Sequence, residues 1–134
     1  MSYWIFQSIA ERYDLRKKGV VEDGKHDTWY ASRYRGRMKV GDIVYFWLGG
    51  IGEKRGVYAL GEIISEPYRK DDWDSYGIDV CYKRKLIKPI DVIAVKNNEI
   101  LSDLLILRAP QATNFALTEE QGKEFERIIA KEDK

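Results

Sequence analysis

The chain has 134 residues, of which 34% are charged and 13% are aromatic, and its 23 Lys and Arg residues nearly balance 22 Asp and Glu residues. This length excludes two independent cores joined by a linker, so we expect a single domain over residues 1–134. One cysteine, Cys81, and one histidine, His26, also exclude an intramolecular disulfide and a zinc site built from Cys and His ligands.

Charge and hydropathy give the expected location and partners. The lone cysteine suits a reducing compartment and no apolar run is long enough to cross a bilayer, so we expect a cytoplasmic protein without membrane contact. A formal net charge of +1 does not by itself indicate nucleic-acid binding. The basic residues are nevertheless grouped. The first group is Arg33, Arg35, Arg37 and Lys39, and the second is Lys83, Arg84, Lys85 and Lys88.

The first part of the chain is predicted to form one strand and one helix. Tyr3 to Ser8 is a short apolar and aromatic run that is typical of a buried strand. Ile9 to Lys18 carries several charged residues and is followed by Gly19, which favours a helix with a glycine stop. Val20 to Thr28 is polar, and Trp29 to Arg37 shows neither period cleanly, so we interpret the latter as an ordered loop.

The clearest local structure is a hairpin with a long loop. The turn residues Val40, Gly41 and Asp42 precede the β-branched and aromatic run from Ile43 to Leu48, which predicts a central strand. Val57 to Ile64 forms the returning strand after a glycine-rich loop. This loop lacks the GKS or GKT ending of a phosphate-binding loop, and it joins two strands instead of opening a helix, so we do not assign it to nucleotide binding.

The second half of the chain contains one further clear strand. Lys70 to Tyr76 is a polar loop, and Ile78 to Ile87 alternates apolar and polar residues, as a strand closed by Pro89 would. Ile100 to Leu107 is apolar but too short to distinguish a helix from a strand. Short strands separated by Gly and Pro residues predict a small barrel or a strongly bent sheet with helices attached.

The C-terminal segment carries a helix-start signal. Thr118 stands three residues before Gln121, which has the form of a capping box, and an apolar stripe at helical spacing follows. We expect a helix from about Glu119 that packs on the barrel.

Catalytic and metal-binding groups are sparse in this sequence. His26 and Asp27 are adjacent in a polar segment, where neighbouring side chains do not normally orient one another for acid–base chemistry. Asp71, Asp72 and Asp74 cluster, but they have no spaced partner of the kind that hard-cation sites need. No catalytic residue, metal site or cofactor is therefore assigned.

Aromatic residues next to basic residues indicate a different chemistry. A flat base stacks on Trp or Tyr while Arg or Lys contacts phosphate. Trp29, Tyr30 and Tyr34 interleave with the first basic group, and Tyr45 and Trp47 share one face of the central strand. A narrow aromatic pocket suits a base that has left its stack, because contacts on both faces replace the lost stacking.

Four stretches in this order resemble the EVE domain of the PUA-like superfamily, which is related in architecture to YTH and ASCH domains. The resemblance covers nearly the whole chain, and its most specific part is Pro110 to Thr118. The stretches are Tyr3 to Ile5, Trp29 to Arg33 with Arg37 to Trp47, Gly56 to Ile63, and Pro110 to Thr118. The resemblance implies an α+β fold, a PUA-like pseudobarrel of mixed, mainly antiparallel strands with short helices and a C-terminal helix.

The resemblance also implies function. It implies a non-catalytic module that accommodates a modified, flipped base of DNA or RNA in an aromatic pocket, acting alone or with a nuclease or other effector protein. The implied ligand-binding residues are Trp4, Trp29, Trp47, Tyr58, Thr113, Asn114 and Phe115. The implied nucleic-acid backbone contacts are Arg33, Arg35, Arg37 and Lys39. Ala112 and Gly49 depart from the residues frequent in the family, which bears on the base that fits.

Two alternatives remain open at this point. A sensor of a small nucleoside-like ligand uses the same aromatic residues without a basic rim. A small amide hydrolase of the ASCH type needs a buried lysine or acid in the pocket.

Overall fold

A computed structural model describes residues 1–133, so Lys134, the last residue of the predicted domain, lies outside the described residues. Seven strands form one mixed sheet that curls into a half-barrel. The strands are β1 (Tyr3–Ile9), β2 (His26–Tyr30), β3 (Ile43–Gly49), β4 (Gly56–Ile63), β5 (Tyr68–Lys70), β6 (Ser75–Asp91) and β7 (Asn114–Leu117). The helices are α1 (Val92–Lys96) and α2 (Glu119–Glu132). Within residues 1–133 no helix is both long and apolar enough to span a bilayer.

The strand order is β2-β6-β4-β3-β1-β7, and β5 pairs with β6 outside this path. Within residues 1–133 only β1 and β3 pair in parallel, so the sheet is mixed and mainly antiparallel, as predicted. The β3–β4 register shifts between Phe46 and Trp47, and the β4–β6 register shifts at two places. Such irregularities bend and twist strands, which accounts for the curl of the sheet.

Strand alternation divides the core into two clusters on opposite faces of the sheet. The first core cluster includes Tyr3, Ile5, Tyr45, Trp47, Phe115 and Phe125. The second core cluster includes Trp4, Phe6, Trp29, Phe46, Val80 and Tyr82. Helix α2 covers the first cluster through Phe125, whose ring centroid lies 4.9 Å from that of Tyr45. Both faces of β1 are thus buried, which is why its sequence is almost continuously apolar.

Several predicted elements are confirmed. Strands β1, β3 and β4 lie within one or two residues of the predicted ranges. The Thr118 hydroxyl accepts a hydrogen bond from the Gln121 amide, and the Gln121 side chain accepts one from the Thr118 amide. This capping box begins α2 at Glu119, as predicted.

The helix predicted from Ile9 to Lys18 is wrong. The segment forms successive turns, in which the amides of Arg12 and Tyr13 both donate to the Ile9 carbonyl. Asp14 accepts hydrogen bonds from the backbone amide and side chain of Arg16, two residues later. Local side-chain bonds of this kind compete with the helical ladder.

Two other boundaries differ from the prediction, and a segment left open between helix and strand is now assigned. Strand β2 begins at His26, inside the segment interpreted as polar loop. Strand β6 continues through Pro89 to Asp91 instead of ending there, because Pro89 lies where the β4–β6 register is irregular and no ladder donor is required. The segment from Ile100 to Leu107 contains two short 3-10 helices, Leu101–Asp103 and Leu105–Leu107.

Candidate functional site

A cavity of about 670 Å³ lies where the two edges of the curled sheet approach each other. Its walls come from the end of β1 and the following turn, from β2, from Trp73, and from residues 110–113 before β7. Binding pockets for small organic groups span about 300–1,000 Å³, so this cavity is large enough for a nucleobase. A second groove, between the end of β6 and α2, measures about 200 Å³ and contains none of the predicted ligand-binding residues.

Asn114 joins the two edges of the sheet beside the cavity. Its side-chain Nδ2 donates to the Tyr30 carbonyl at 2.9 Å, and its Oδ1 accepts from the Ser32 amide at 3.1 Å. The residue is 0% exposed. One amide side chain therefore closes the seam between β7 and the end of β2, where no strand pairing exists.

Gln7 fixes the 110–113 wall to β1. Its Nε2 donates to the Pro110 carbonyl at 2.9 Å and to the Ala112 carbonyl at 2.7 Å. Its backbone amide donates to the Thr113 carbonyl at 2.8 Å. Gly49, on the neighbouring strand, leaves the space for this side chain, because a Cβ there would lie 2.1 Å from Gln7 Oε1.

A hydrogen-bond chain runs beneath the cavity. Trp29 Nε1 donates to the Tyr82 hydroxyl at 2.9 Å, and this hydroxyl donates to Asp27 Oδ2 at 2.5 Å. The Tyr13 hydroxyl donates to the same carboxylate oxygen. Burial and the hydrogen bond to Asp27 raise the pKa of Tyr13 to about 12 and raise the pKa of Tyr82 far above its ordinary value. Both hydroxyls therefore remain protonated donors across the physiological pH range.

Aromatic rings line the cavity and its rim. Trp29 is 5% exposed, and its ring meets that of Tyr13 edge-on with centroids 5.8 Å apart. At the rim, the Tyr30 and Trp73 rings lie 4.4 Å apart with 31° between their planes. Lys70 Nζ lies 4.8 Å from the Trp73 ring centroid. Tyr30 is 45% exposed, so this aromatic pair offers a stacking surface at the entrance.

The structure places some of the seven predicted ligand-binding residues at the cavity and the others away from it. Trp29 and Thr113 line the cavity, and Asn114 donates to the carbonyl of Tyr30, which also lines it. The other four do not line it. They are Trp4, Trp47, Tyr58 and Phe115.

These four residues lie in or against the core for identifiable reasons. Trp4 is 1% exposed in the second core cluster, and its Nε1 donates to Asp42 Oδ2 at 2.9 Å. Trp47 is 2% exposed, and it packs with Phe115 in the first core cluster. Tyr58 packs against the second core cluster, and its hydroxyl donates to the Lys54 carbonyl at 2.6 Å. Strands β1, β3 and β7 bury Trp4, Trp47 and Phe115, and β4 leaves Tyr58 half-buried.

Sequence reasoning missed most of the polar cavity wall. Gln7 was read only as part of a strand, and Tyr13 was read as part of a helix. Asp27 was weighed only as a partner for His26, whereas its carboxylate accepts from two tyrosines. The adjacency of Tyr30 to Trp29 was a usable signal, since consecutive aromatic residues at the end of an edge strand place one ring inside and one at the rim.

The four predicted backbone-contacting residues form an exposed basic strip, Arg33 to Lys39, which follows β2 in the chain. The Arg35 guanidinium carbon lies 4.1 Å from the Tyr76 ring centroid, and Tyr76 accepts a backbone hydrogen bond from Ala31. Arg33 and Arg37 lie 5.6 Å and 5.4 Å from the Tyr34 ring centroid. Within residues 1–133, no member of the strip forms an ion pair. The strip is therefore a local excess of positive charge.

Among residues 1–133, no three His, Cys, Asp or Glu side chains are grouped so that they could hold a metal ion. Asp71 and Asp74 contact Arg69 instead, on the surface.

A family model for the EVE domain matches residues 2–130. The chain belongs to the EVE domain family.

Three solved structures share the fold of this EVE domain. A Rhodopseudomonas palustris protein superposes with a TM-score of 0.78 at 19% identity, covering 100% of this chain and 97% of the other. A hypothetical protein from Leishmania major gives a TM-score of 0.77 at 18% identity, covering 100% and 98%.

The third structure is human THYN1 in complex with 5-methylcytosine-containing DNA. It gives a TM-score of 0.72 at 18% identity, covering 100% of this chain and 99% of THYN1. A sequence search of curated proteins finds no match. The family-model match and the three structural similarities confirm the predicted family and the PUA-like pseudobarrel of this EVE domain.

Proposed function

We propose that this EVE domain binds nucleic acid without catalysing a reaction on it, and that it holds one base in the cavity beside Trp29. The observation that carries the proposal is an aromatic cavity at the end of β2 together with the exposed basic strip that follows β2 in the chain. The structure of human THYN1 with DNA supports the same class of partner for this fold.

The cavity suits a base that has left its stack. Extrusion of a base costs a few kcal/mol, and stacking on an aromatic side chain returns about 1–3 kcal/mol per base. Trp29 and Tyr13 form the aromatic part of the interior, and Tyr30 and Trp73 stand at the rim. Ala112 adds a small apolar surface, where a methyl group on the base would gain about 0.8 kcal/mol by leaving water. This chemistry favours a methylated base.

The basic strip suits the phosphate backbone that continues away from the held base. Its arginines lie over tyrosine rings, which orients the guanidinium groups. Arg35 also donates to the Ser32 carbonyl, and all three arginines are exposed. Each phosphate contact adds about 0.7 to 0.9 to the slope of log affinity against log salt concentration. Binding is therefore expected to weaken steeply with salt.

The cavity is tested with short oligonucleotides that differ in one base. Single-stranded and double-stranded DNA and RNA carry cytosine, 5-methylcytosine, 5-hydroxymethylcytosine, adenine or N6-methyladenine at one position, and fluorescence anisotropy measures Kd. Trp73→Ala removes a rim ring, so we expect binding to weaken about 5- to 150-fold. Tyr68→Ala is the matched control, because Tyr68 is an exposed aromatic nearby that does not line the cavity. Equal effects of the two variants refute the proposed site.

The role of the basic strip is tested by the salt dependence of oligonucleotide affinity. The triple variant Arg33→Ala, Arg35→Ala and Arg37→Ala should reduce the salt slope by about 2 to 3. A control variant removes three exposed helix lysines, Lys96, Lys123 and Lys131, and should leave the slope unchanged. Salt-independent binding of a free nucleoside, with no binding of oligonucleotides, would support the small-ligand alternative instead.

A further inference from the structure

One wall of the cavity presents hydrogen-bond acceptors to a ligand. This acceptor wall consists of Gln7, Ser8, Tyr13, Asp27, Thr28 and Trp29. Every side-chain N–H or O–H group of this wall already donates a hydrogen bond to another group of the protein. The acceptors are the Pro110 and Ala112 carbonyls for Gln7, the Tyr13 carbonyl for Ser8, Asp27 for Tyr13, Asp79 for Thr28 and Tyr82 for Trp29.

Asp27 is the charged member of the acceptor wall. Its Oδ2 receives both tyrosine hydroxyls, whereas its Oδ1 receives only the Thr28 amide at 2.9 Å. A carboxylate oxygen accepts about two hydrogen bonds, so Oδ1 retains capacity for one more donor. The two tyrosines hold the carboxylate through Oδ2, and Asp27 lines the cavity. The oxygen with remaining capacity is thus held in place before a ligand arrives.

We infer that the cavity selects a base with an exocyclic amino group, such as cytosine or adenine, over its keto counterpart, and that Asp27 determines this preference. The inference rests on the proposed function and specifies its substrate. An amino group donates to Asp27 Oδ1, which completes the acceptor wall. A keto oxygen at the same position faces a carboxylate oxygen and other acceptors, and no side chain of this wall has a donor to offer it.

The remaining edges of an amino-bearing base meet different groups. Arg12, in the turn that also carries Tyr13, and Gln111 and Thr113, in the 110–113 segment, also line the cavity and carry N–H or O–H groups. They suit the ring nitrogen and carbonyl oxygen that accompany the amino group in cytosine. Discrimination by a good hydrogen-bonded pair between protein and base is about 5- to 150-fold, and we expect at least tenfold here.

The test compares single-stranded oligonucleotides that are identical except at one base. Cytosine is compared with uracil, and adenine with hypoxanthine, so that an amino group is exchanged for a keto group at the same ring position and the neighbouring ring nitrogen gains a hydrogen. Wild type should bind the amino member at least about tenfold more tightly in each pair. Asp27→Asn, which places an amide N–H donor in the wall, should reduce the preference to less than about threefold.

The outcomes separate this inference from the proposed function. If Trp73→Ala weakens binding but wild type binds amino and keto bases equally, the inference is overturned and the proposed function stands. If Trp73→Ala leaves all binding unchanged, the proposed function fails and the inference falls with it. Should Asp27→Asn not fold, the amino-to-keto ratio of the wild-type protein still decides, because that comparison requires no substitution.

Discussion

Removing the hydroxyl of Tyr82 tests whether the hydrogen-bond chain beneath the cavity holds its two functional side chains. The Tyr82 hydroxyl accepts from Trp29 at 2.9 Å and donates to Asp27 at 2.5 Å. Tyr45 offers a matched comparison, since it is also a fully buried tyrosine but its hydroxyl makes a single bond, to the Gly122 carbonyl at 2.8 Å. Tyr82→Phe and Tyr45→Phe therefore remove the same atom from two different environments.

The expected losses of stability differ because the groups left behind differ. Tyr82→Phe removes a hydrogen bond to a carboxylate, which contributes about 1.5–3 kcal/mol, and leaves the Trp29 indole N–H without its acceptor at a buried position, which costs about 1–3 kcal/mol. Allowing for relaxation, we expect the free energy of unfolding to fall by about 3 kcal/mol. Tyr45→Phe leaves one helix carbonyl without its side-chain donor, and we expect a loss of about 1 kcal/mol.

Urea denaturation measures both values, and the slope against urea should stay constant if only stability changes. Oligonucleotide binding provides the second readout, measured well below the denaturation midpoint. Tyr82→Phe should weaken binding, because Trp29 and Asp27 both lose a fixed partner, whereas Tyr45→Phe should bind as wild type does. Equal stability losses, or wild-type affinity in Tyr82→Phe, would refute the reasoning.

Three further predictions concern stability. Hydrogen bonds from Arg127, and to a lesser extent from Asn98, lower the pKa of Glu124 from the ordinary 4.5 to about 2. The Glu124 carboxylate therefore stabilises the fold above pH 4.5, and this contribution is lost as the pH falls towards 2. Glu124→Gln should reduce the loss of thermal stability over this acid range. Gly122→Ala should cost about 1–3 kcal/mol despite the better helix propensity of Ala, because the new Cβ would lie 2.1 Å from Tyr3 Cγ. Asp42→Ala should cost about 2–4 kcal/mol, because this carboxylate accepts three N–H donors, and urea denaturation measures it.

Two of these predictions have a control variant, and the third is decided by its acid profile. Gly36→Ala introduces a Cβ with no atom within 4 Å, so it should change stability by less than about 0.5 kcal/mol. Asp42→Asn retains one acceptor and should lie between wild type and Asp42→Ala. An acid profile of Glu124→Gln that parallels wild type between pH 4.5 and 2 would contradict the role given to Glu124.

The elements that sequence reasoning placed correctly are those whose signals are local. The capping box is recognised from two residues three positions apart, Thr118 and Gln121, and the strand that begins at Ile43 is recognised from a run of consecutive residues. The predicted helix from Ile9 to Lys18 failed for a related reason. Its charged residues were read as a helical surface, whereas Asp14 bonds to Arg16 and stabilises a turn.

The site was only partly predictable because long-range register assembles it. Gln7 reaches Ala112, 105 positions away, and Asp27 meets Tyr82, 55 positions away. Neither pair has a local sequence signature. The tryptophans illustrate the same limit, since composition alone cannot distinguish Trp29, which faces both core and cavity, from Trp47, which alternation places on the other face of the sheet.

The topology explains why a cavity exists at this position. A sheet that closed fully would pair its two edge strands, and the ladder would leave no opening between them. Here β2 and β7 are the two edges, and Asn114 joins them with two side-chain hydrogen bonds instead of a ladder. The gap beside Asn114 is lined by the aromatic end of β2 and by the 110–113 segment that Gln7 holds in place. The incomplete closure of the pseudobarrel thus creates the space that we assign to the base.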